Sequence, residues 1–375
     1  MVLDRNKVRD NIEKRAAEDI ASGAIAGACV LVKQKGEVVY ENCFGKAAED
    51  RPLTKDTVYR LASMTKPITA VAIMKQIERG LISLDDPLEK FIPEYAEMDI
   101  ATVVDRKIVS VRRAENKIRI LHLLTHTSGV GTGVLGELQS AEFAPEREYD
   151  LKSVAAEYAS KPIAFEPYSE QLYSGLKGFD LLARVVEITS GMGYDEFLKK
   201  EIFEPLGMKD TTFVPSDEQW ERMTLMHRQV NGTAEFVPLD REHVFYNLPL
   251  TYFCGGASLV STISDYERFA DMLLLGGVGA NGARIISEES VTRMRTPSVP
   301  ESIMGWHERW GLGVRVITKP ATPLPIGAFG WSGAFGTHFW VDPVNDIIGI
   351  YMKNSYSDGG SGARTSANFE KDVYL

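Results

Sequence analysis

Three cysteines in 375 residues are too few for a disulfide framework, and positions 29, 43 and 254 lack the spacing of a zinc site. Cys29 and Cys43 fall close enough to face one another across a hairpin, but buried free thiols are the expected state. Long apolar runs are missing too: no segment approaches the roughly 20 residues that span a bilayer. The opening MVLDRNKVRDNIEKRAAEDI is charged throughout and holds no apolar core of signal-peptide length, so a cytoplasmic location is expected. Positive charge is in deficit, 42 Lys and Arg against 52 Asp and Glu for a net charge of −10. That balance argues against a nucleic-acid or anionic-membrane surface as partner. Where basic residues gather, VVDRKIVSVRRAENKIRI from Val103 to Ile120, acidic ones are interleaved, as on the solvated side of a hairpin insertion.

Two catalytic signatures are also absent. His122 and His126 have the i, i+4 spacing of a zinc helix, but Leu123 stands where H-E-x-x-H needs its glutamate. No G-x-S-x-G elbow occurs; GGSGA at Gly359 lacks the last glycine, against an α/β-hydrolase. No metal and no cofactor are expected.

With 44% hydrophobic and 25% charged residues the chain has ordinary globular composition, and its length suits one large domain or two. Residues 5–22 have the pattern of a charged amphipathic helix. GACVLVKQKGEVVYENCFG then reads as a hairpin turning at Lys35-Gly36. Near the other end, GTHFWVDPVNDIIGIYMKN places strands on either side of Asp342–Asp346. The middle is mostly helical: GFDLLARVVEITSG has helical apolar spacing and stops on Gly191, and SDYERFADMLLLGG opens with a capping box, Ser264 and Glu267. SYSDGGSGARTSANFE, Ser355 to Glu370, reads as a loop-like tail. The fold class is therefore α+β: one antiparallel sheet built from both chain ends and flanked by helices, with a mainly helical region inserted. The expected division is a sheet domain from 1–60 and 250–375 and a helical domain from 61–249, with a ligand cleft between them.

A nucleophile candidate lies in RLASMTKPITAVAIMKQIERGL, Arg60 to Leu81. Met64, Ile68, Val71, Met74, Ile77 and Leu81 step by three or four, as in a helix. Pro67 is tolerated only in a first turn, where backbone N–H groups have no partner, which pins the start near Ala62 or Ser63. Ser63 and Lys66 then share a face, and the positive helix end favours negative charge developing at the serine. A serine hydroxyl needs a neighbour to take its proton, and a lysine kept partly neutral can do so. Spacing alone does not decide it, since S-x-x-K turns up about once or twice by chance at this length. It does recur, at Ser174–Lys177. Tyr173, on a loop just before a helix, is an acid–base candidate. The glycines of GAFGWSGAFGTHFWVDP, Gly327 to Pro343, let backbone approach a substrate beside a strand.

Taken in order, YRLASMTKPITA, ILHLLTHTSGV, YSEQLYSGLKGFDLLARVVEITSG, IFEPLGMKDTTF, CGGASLVSTISDYERFADMLL and WSGAFGTHFWVDP resemble the serine β-lactamase and penicillin-binding-protein superfamily. The resemblance covers roughly Gly27 to Lys353 and is closest to class C β-lactamases and family VIII carboxylesterases. It implies that Ser63 is acylated, with Lys66 and Tyr173 managing its proton in an order left open. It implies an oxyanion hole from the N–H groups of Ser63 and Ala334, and substrate contacts from Gly175, Trp331, Ser332 and Gly333. Two departures bear on substrate. Gly175 replaces the asparagine of Y-x-N, removing an amide that contacts the acylamino group of β-lactams. Trp331 replaces the lysine of K-T-G, and losing such a charge-assisted partner costs about 1.5–3 kcal/mol. A tryptophan there offers an apolar wall instead. The resemblance thus implies a serine carboxylesterase for short- to medium-chain esters. The alternatives are a β-lactamase, D-stereospecific peptidase or amidase on the same scaffold, and a catalytically silent penicillin-binding-like protein.

Overall fold

The computed structural model describes residues 1–139 and 149–375. The first strand hairpin, β1 (Gly27–Gln34) and β2 (Glu37–Ala48), forms at Lys35-Gly36, both of which take positive φ. A short β3 (Arg51–Pro52) extends it. From the far end of the chain come β4 (Glu308–Trp310), β5 (Arg315–Ile317), β6 (Phe329–Ser332), β7 (His338–Asp342) and β8 (Ile347–Met352). They make one antiparallel sheet in the order β4-β5-β6-β7-β8-β1-β2-β3. The two chain ends join where β1 pairs β8, Cys29 opposite Met352 and Gln34 opposite Ile347.

β1 is buried at all eight positions because both sheet faces are covered. Ala28, Val30 and Val32 point to one face, under helices α1 (Arg5–Ala21) and, at the other end of the chain, α6 (Arg364–Tyr374). Cys29 and Leu31 point to the other face and the main core. That core holds α2 (Thr65–Glu78), α3 (Ile120–Leu124), α4 (Lys177–Ser190) and α5 (Ile263–Leu274). One glycine is required by contact: a Cβ on Gly349 would stand 2.1 Å from the ring of Trp340, its cross-strand partner and a fully buried side chain.

Local signals read correctly where they were local. α4 ends on Gly191 in the left-handed conformation, as a C-terminal glycine favours. The basic stretch forms a two-stranded ribbon, Asp99–Val104 with Lys107–Arg113, whose second strand is exposed throughout while Ile100 and Ala101 of the first are buried. α2 is preceded by one tight turn over Ala62–Met64, and it stops at Glu78, so Leu81 lies past the helix and is exposed.

Three expectations are corrected. Cys29 and Cys43 form a disulfide rather than two thiols. The cause is a bulge in the hairpin: the register shifts between Val32 and Lys33, which brings Cys43 rather than Asn42 opposite Cys29. Disulfides persist in oxidising surroundings, so this pair does not favour the cytoplasmic location expected from the N-terminus. α5 is capped two residues earlier than its capping box suggested, by the Thr262 hydroxyl on the Asp265 N–H (3.2 Å). The loop-like tail is anchored: Asp358 accepts from Lys353 Nζ (2.7 Å), Arg364 N (2.8 Å) and Thr365 Oγ1 (2.6 Å), and α6 follows with Phe369 and Val373 buried.

Two buried histidines give stability a pH dependence of definite sign. Burial pushes His122 and His227 each down to about 4. An unfolded histidine takes its proton near 6.5, so below that value the unfolded state binds the extra proton. These groups therefore remove stability between about pH 6.5 and pH 4, at no more than about 1.4 kcal/mol per pH unit each. A histidine NMR titration should find both rings still neutral at about pH 5.5; a midpoint near 6.5 for either would contradict the burial argument.

Candidate active site

The serine is presented by a forced bend. Strand Tyr59–Arg60 pairs with Val260–Ser261, and the chain then turns through Ala62, whose φ of +47 is unusual for a residue with a side chain. Such a conformation costs of order 1–2 kcal/mol and persists only where its surroundings hold it. Here Leu61 N donates to Leu259 O (2.9 Å), and Leu61 O accepts from Thr337 Oγ1 (2.8 Å). Ser63 follows, 8% exposed.

Lys66 lies in the first turn of α2 and is fully buried. Its Nζ donates to Ser63 Oγ (3.2 Å), Gly175 O (2.5 Å) and Gly256 O (2.9 Å). Three acceptors match the three donors of an ammonium. The Gly256 carbonyl reaches it because Gly255 packs flat on α4, where a Cβ would stand 2.3 Å from Phe179 O.

Tyr173 is held over this pair. Lys66 Nζ lies 5.0 Å from the centre of its ring, and the Trp331 indole N–H donates to its phenol oxygen (3.3 Å). His126 holds the loop from beneath. Its carbonyl accepts from Leu172 N (3.2 Å) and its Nδ1 from Ser174 N (3.0 Å), so both neighbours of Tyr173 bond to one residue. The ring packs 4.5 Å from Tyr173 and 4.4 Å from Trp310. Burial and then the Lys66 charge push the imidazole well below its usual range, so it remains a neutral acceptor. Sequence reasoning weighed His126 for metal alone. The signal that it does something else was its place in a T-H-T-S-G turn rather than inside a helix.

On the strand side, Trp331 is 6% exposed. Ser332 points away from the cleft: its hydroxyl bonds to His338 Nδ1 (2.8 Å), whose Nε2 bonds to Glu370 (3.0 Å) in α6. Its expected role as a substrate contact therefore has no support in the side chain's direction. Gly333 brings the turn against the serine segment; a Cβ there would stand 2.1 Å from Thr337 Oγ1 and 2.3 Å from Leu61 O. Ala334 follows, and its N–H has no backbone acceptor among the described residues. The Ser63 N–H belongs to a first helical turn, where amides have no intrahelical partner.

The structure thus brings Ser63, Lys66, Tyr173, Gly175 and Trp331 together, with Gly333 and Ala334 on the turn beside Leu61. The second S-x-x-K does not form a pair. Ser174 accepts the N–H of Gly178 (3.0 Å), capping α4, and Lys177 turns to Gln139 O (2.9 Å). Among the described residues no three His, Cys, Asp or Glu side chains gather to hold a metal. A cleft of about 480 Å³ opens beside Tyr173 and Gly175, walled by Tyr158, Phe245, Tyr246 and Leu248.

The sequence model of a family described as Beta-lactamase matches residues 8–369. Protein Rv1367c of Mycobacterium tuberculosis is 30% identical over 351 residues, 88% of this chain and 86% of that one. Esterase EstB of Burkholderia gladioli is 29% identical over 375 residues, 92% and 89% of the two chains. Among solved structures, EstCE1, titled a hydrolase with promiscuous acyltransferase activity, superposes with a TM-score of 0.82 over 99% of both chains at 23% identity.

Gly333→Ala tests the turn. The added methyl would displace the turn that carries the Ala334 N–H, and if that N–H is an oxyanion donor, as the resemblance implies, its loss costs about 10²–10³ in kcat. A drop of that size per folded enzyme, together with a lowered Tm because the methyl collides with Leu61 O, is the expected result; unchanged turnover would separate this turn from the chemistry.

Proposed function

The chain belongs to the Beta-lactamase family, and we propose that within it the chain is a carboxylesterase that hydrolyses short- to medium-chain esters through an acyl-enzyme on Ser63. The cleft between the sheet and the inserted helical region is the site in this reading. The observation that carries it is the hydrogen bond from Lys66 Nζ to Ser63 Oγ beneath Tyr173. The preference for esters draws on Trp331. Where the resemblance puts a lysine for a substrate carboxylate, an indole donates to the Tyr173 phenol and offers no charge.

Ser63 Oγ attacks the ester carbonyl as its proton passes to the Lys66–Tyr173 pair, which starts the cycle one proton short of ammonium plus phenol and whose members share the task as coupled groups do. The carbonyl oxygen becomes an oxyanion held by the Ser63 and Ala334 N–H groups. Collapse expels the alcohol, which leaves with the proton held by the pair, and Ser63 is acylated. Water then gives a proton to the pair and attacks the acyl carbon through a second oxyanion. The acid departs and the proton returns to Ser63. Trp331 stabilises the phenol oxygen as it gains negative charge, and His126 fixes where that oxygen lies.

Hydrolysis of p-nitrophenyl butyrate should fall by roughly 10³ or more in Ser63→Ala, because a triad-like unit loses most of its rate with its nucleophile. Wild type should cleave a chromogenic cephalosporin at least about 100-fold less efficiently than the ester, in keeping with a missing charge-assisted contact of about 1.5–3 kcal/mol and a missing amide. Full ester turnover in Ser63→Ala would end the proposal. Cephalosporin turnover rivalling the ester would make the chain a β-lactamase, and silence on both would direct attention to D-peptides, amides or a binding role.

Gly175→Asn asks whether the missing amide matters. A Cβ built on Gly175 meets nothing within 4 Å, so the side chain has room. One added neutral hydrogen bond is worth about 0.5–1.5 kcal/mol, so cephalosporin kcat/KM should rise about 2- to 10-fold relative to the ester. No change in that ratio would mean the cleft rejects β-lactams for another reason.

A further inference from the structure

A second buried cation stands in the segment that carries the serine. Arg60 lies three residues before Ser63, so their Cα atoms are no more than about 11 Å apart. Asn354 fixes its backbone, accepting from Arg60 N (2.9 Å) and donating to Arg60 O (3.0 Å). The side chain is 4% exposed. It donates one Nη1 bond to Thr224 O (3.1 Å) and lies 5.9 Å from the centre of a Trp220 ring. It forms no ion pair with any described carboxylate, Asp240 acting on it only across the cavity, although a guanidinium has five donors and a buried cation with no direct partner is costly.

The unused donors have somewhere to act. Arg60 lines a cavity of about 180 Å³ whose other walls include Tyr246, Phe335, Tyr356, Asp240 and His243. Phe335 directly follows Ala334, and Tyr246 also walls the cleft beside Tyr173 and Gly175. The aromatic rings pack on one another, Tyr246 on Phe335 at 5.4 Å and Phe335 on Tyr356 at 5.6 Å. Asp240, the acid facing this space, is already held by His243 Nδ1 (2.8 Å) and Glu242 N (2.7 Å). Burial pushes Arg60 down to about 10, with Tyr356 and Asp240 pulling the other way, so it is a cation at neutral pH.

We propose that this cavity is a carboxylate subsite, and that the preferred esters carry a free carboxylate at the end of the acyl chain, as hemiesters of dicarboxylic acids do. A planar fork of N–H donors beside aromatic rings, with the one lining carboxylate already held by His243 and Glu242, is suited to bidentate binding of a carboxylate. The acyl carbon is the atom that bonds to Ser63, and Ser63 and Arg60 share one short segment, so a diacid of about six carbons is the first probe of the span between them. The inference rests on the esterase reading for turnover, but the subsite is testable without it.

The test compares the p-nitrophenyl hemiester of adipic acid with p-nitrophenyl hexanoate, matched in chain length and leaving group. The ratio of their kcat/KM values cancels any loss of folded enzyme. Arg60→Met should lower that ratio at least 10-fold, and Asp240→Asn should raise it about 3-fold. A ratio that neither substitution moves overturns the proposal. A second arm reads binding alone: free adipate should raise the Tm of wild type and of Ser63→Ala, but not of Arg60→Met. Adipate binding through Arg60 with no effect on the ester ratio would mark a site for a free acid and overturn the substrate assignment. If neither ester turns over while adipate still stabilises through Arg60, the esterase reading fails and the subsite stands. If the hexanoate ester turns over and neither arm responds to Arg60, the reverse holds.

Discussion

A fully buried ammonium has to be given acceptors, and much of this molecule is arranged around that requirement. Lys66 receives one from its own helix, Ser63 Oγ, and two from distant segments, the carbonyls of Gly175 and Gly256. Each bond to a charged donor is worth about 1.5–3 kcal/mol, and an unmatched one would leave buried charge exposed to the full desolvation penalty. The tyrosine loop and the Cys254–Ser258 turn are therefore bound to the Ser63 helix by the same group that, in the proposed mechanism, shares the Ser63 proton. Glycines make this possible, since Gly255 sits where a Cβ would collide with α4.

Above the lysine, aromatic rings replace charge. Trp310, Trp331, Tyr173 and His126 pack with centres 4.4–6.0 Å apart, which gives the phenol a fixed place and a neutral donor. An indole in that position stabilises a developing phenolate weakly compared with a lysine, but it leaves the substrate's charge unanswered. The other buried cation of that segment is Arg60, which lines a cavity together with Phe335. Substrate preference in this reading follows from where the cation is, more than from whether there is one.

Much of this was legible because the signals were short-range. Lys35-Gly36 announces a hairpin, Gly191 stops a helix, and Ser63 with Lys66 and Pro67 describes a first turn. What escaped depended on a register or a distant partner. The disulfide required a one-residue bulge, since a regular hairpin would set Cys29 against Asn42. The tail from Ser355 looked unstructured because its helix is held by Asp358 and by packing on α1, neither of which has a local pattern. Ser332 shared a motif with Trp331, but strand alternation turns adjacent side chains to opposite faces, and its hydroxyl went to His338. His126 and Arg60 were visible as residues and silent as to role, because backbone bonds and a missing counter-ion are properties of the folded chain.

The account stands on a covalent intermediate at one serine. The most direct measurement is peptide mass spectrometry after a rapid acid quench of enzyme mixed with excess p-nitrophenyl ester, with a fluorophosphonate as the stable comparison. The account predicts an acyl mass, and the phosphonyl mass, on Ser63 in the peptide containing Ser63-Met64-Thr65-Lys66. Label on Ser174, Ser332 or another residue, with Ser63 unmodified while the ester is consumed, would contradict it.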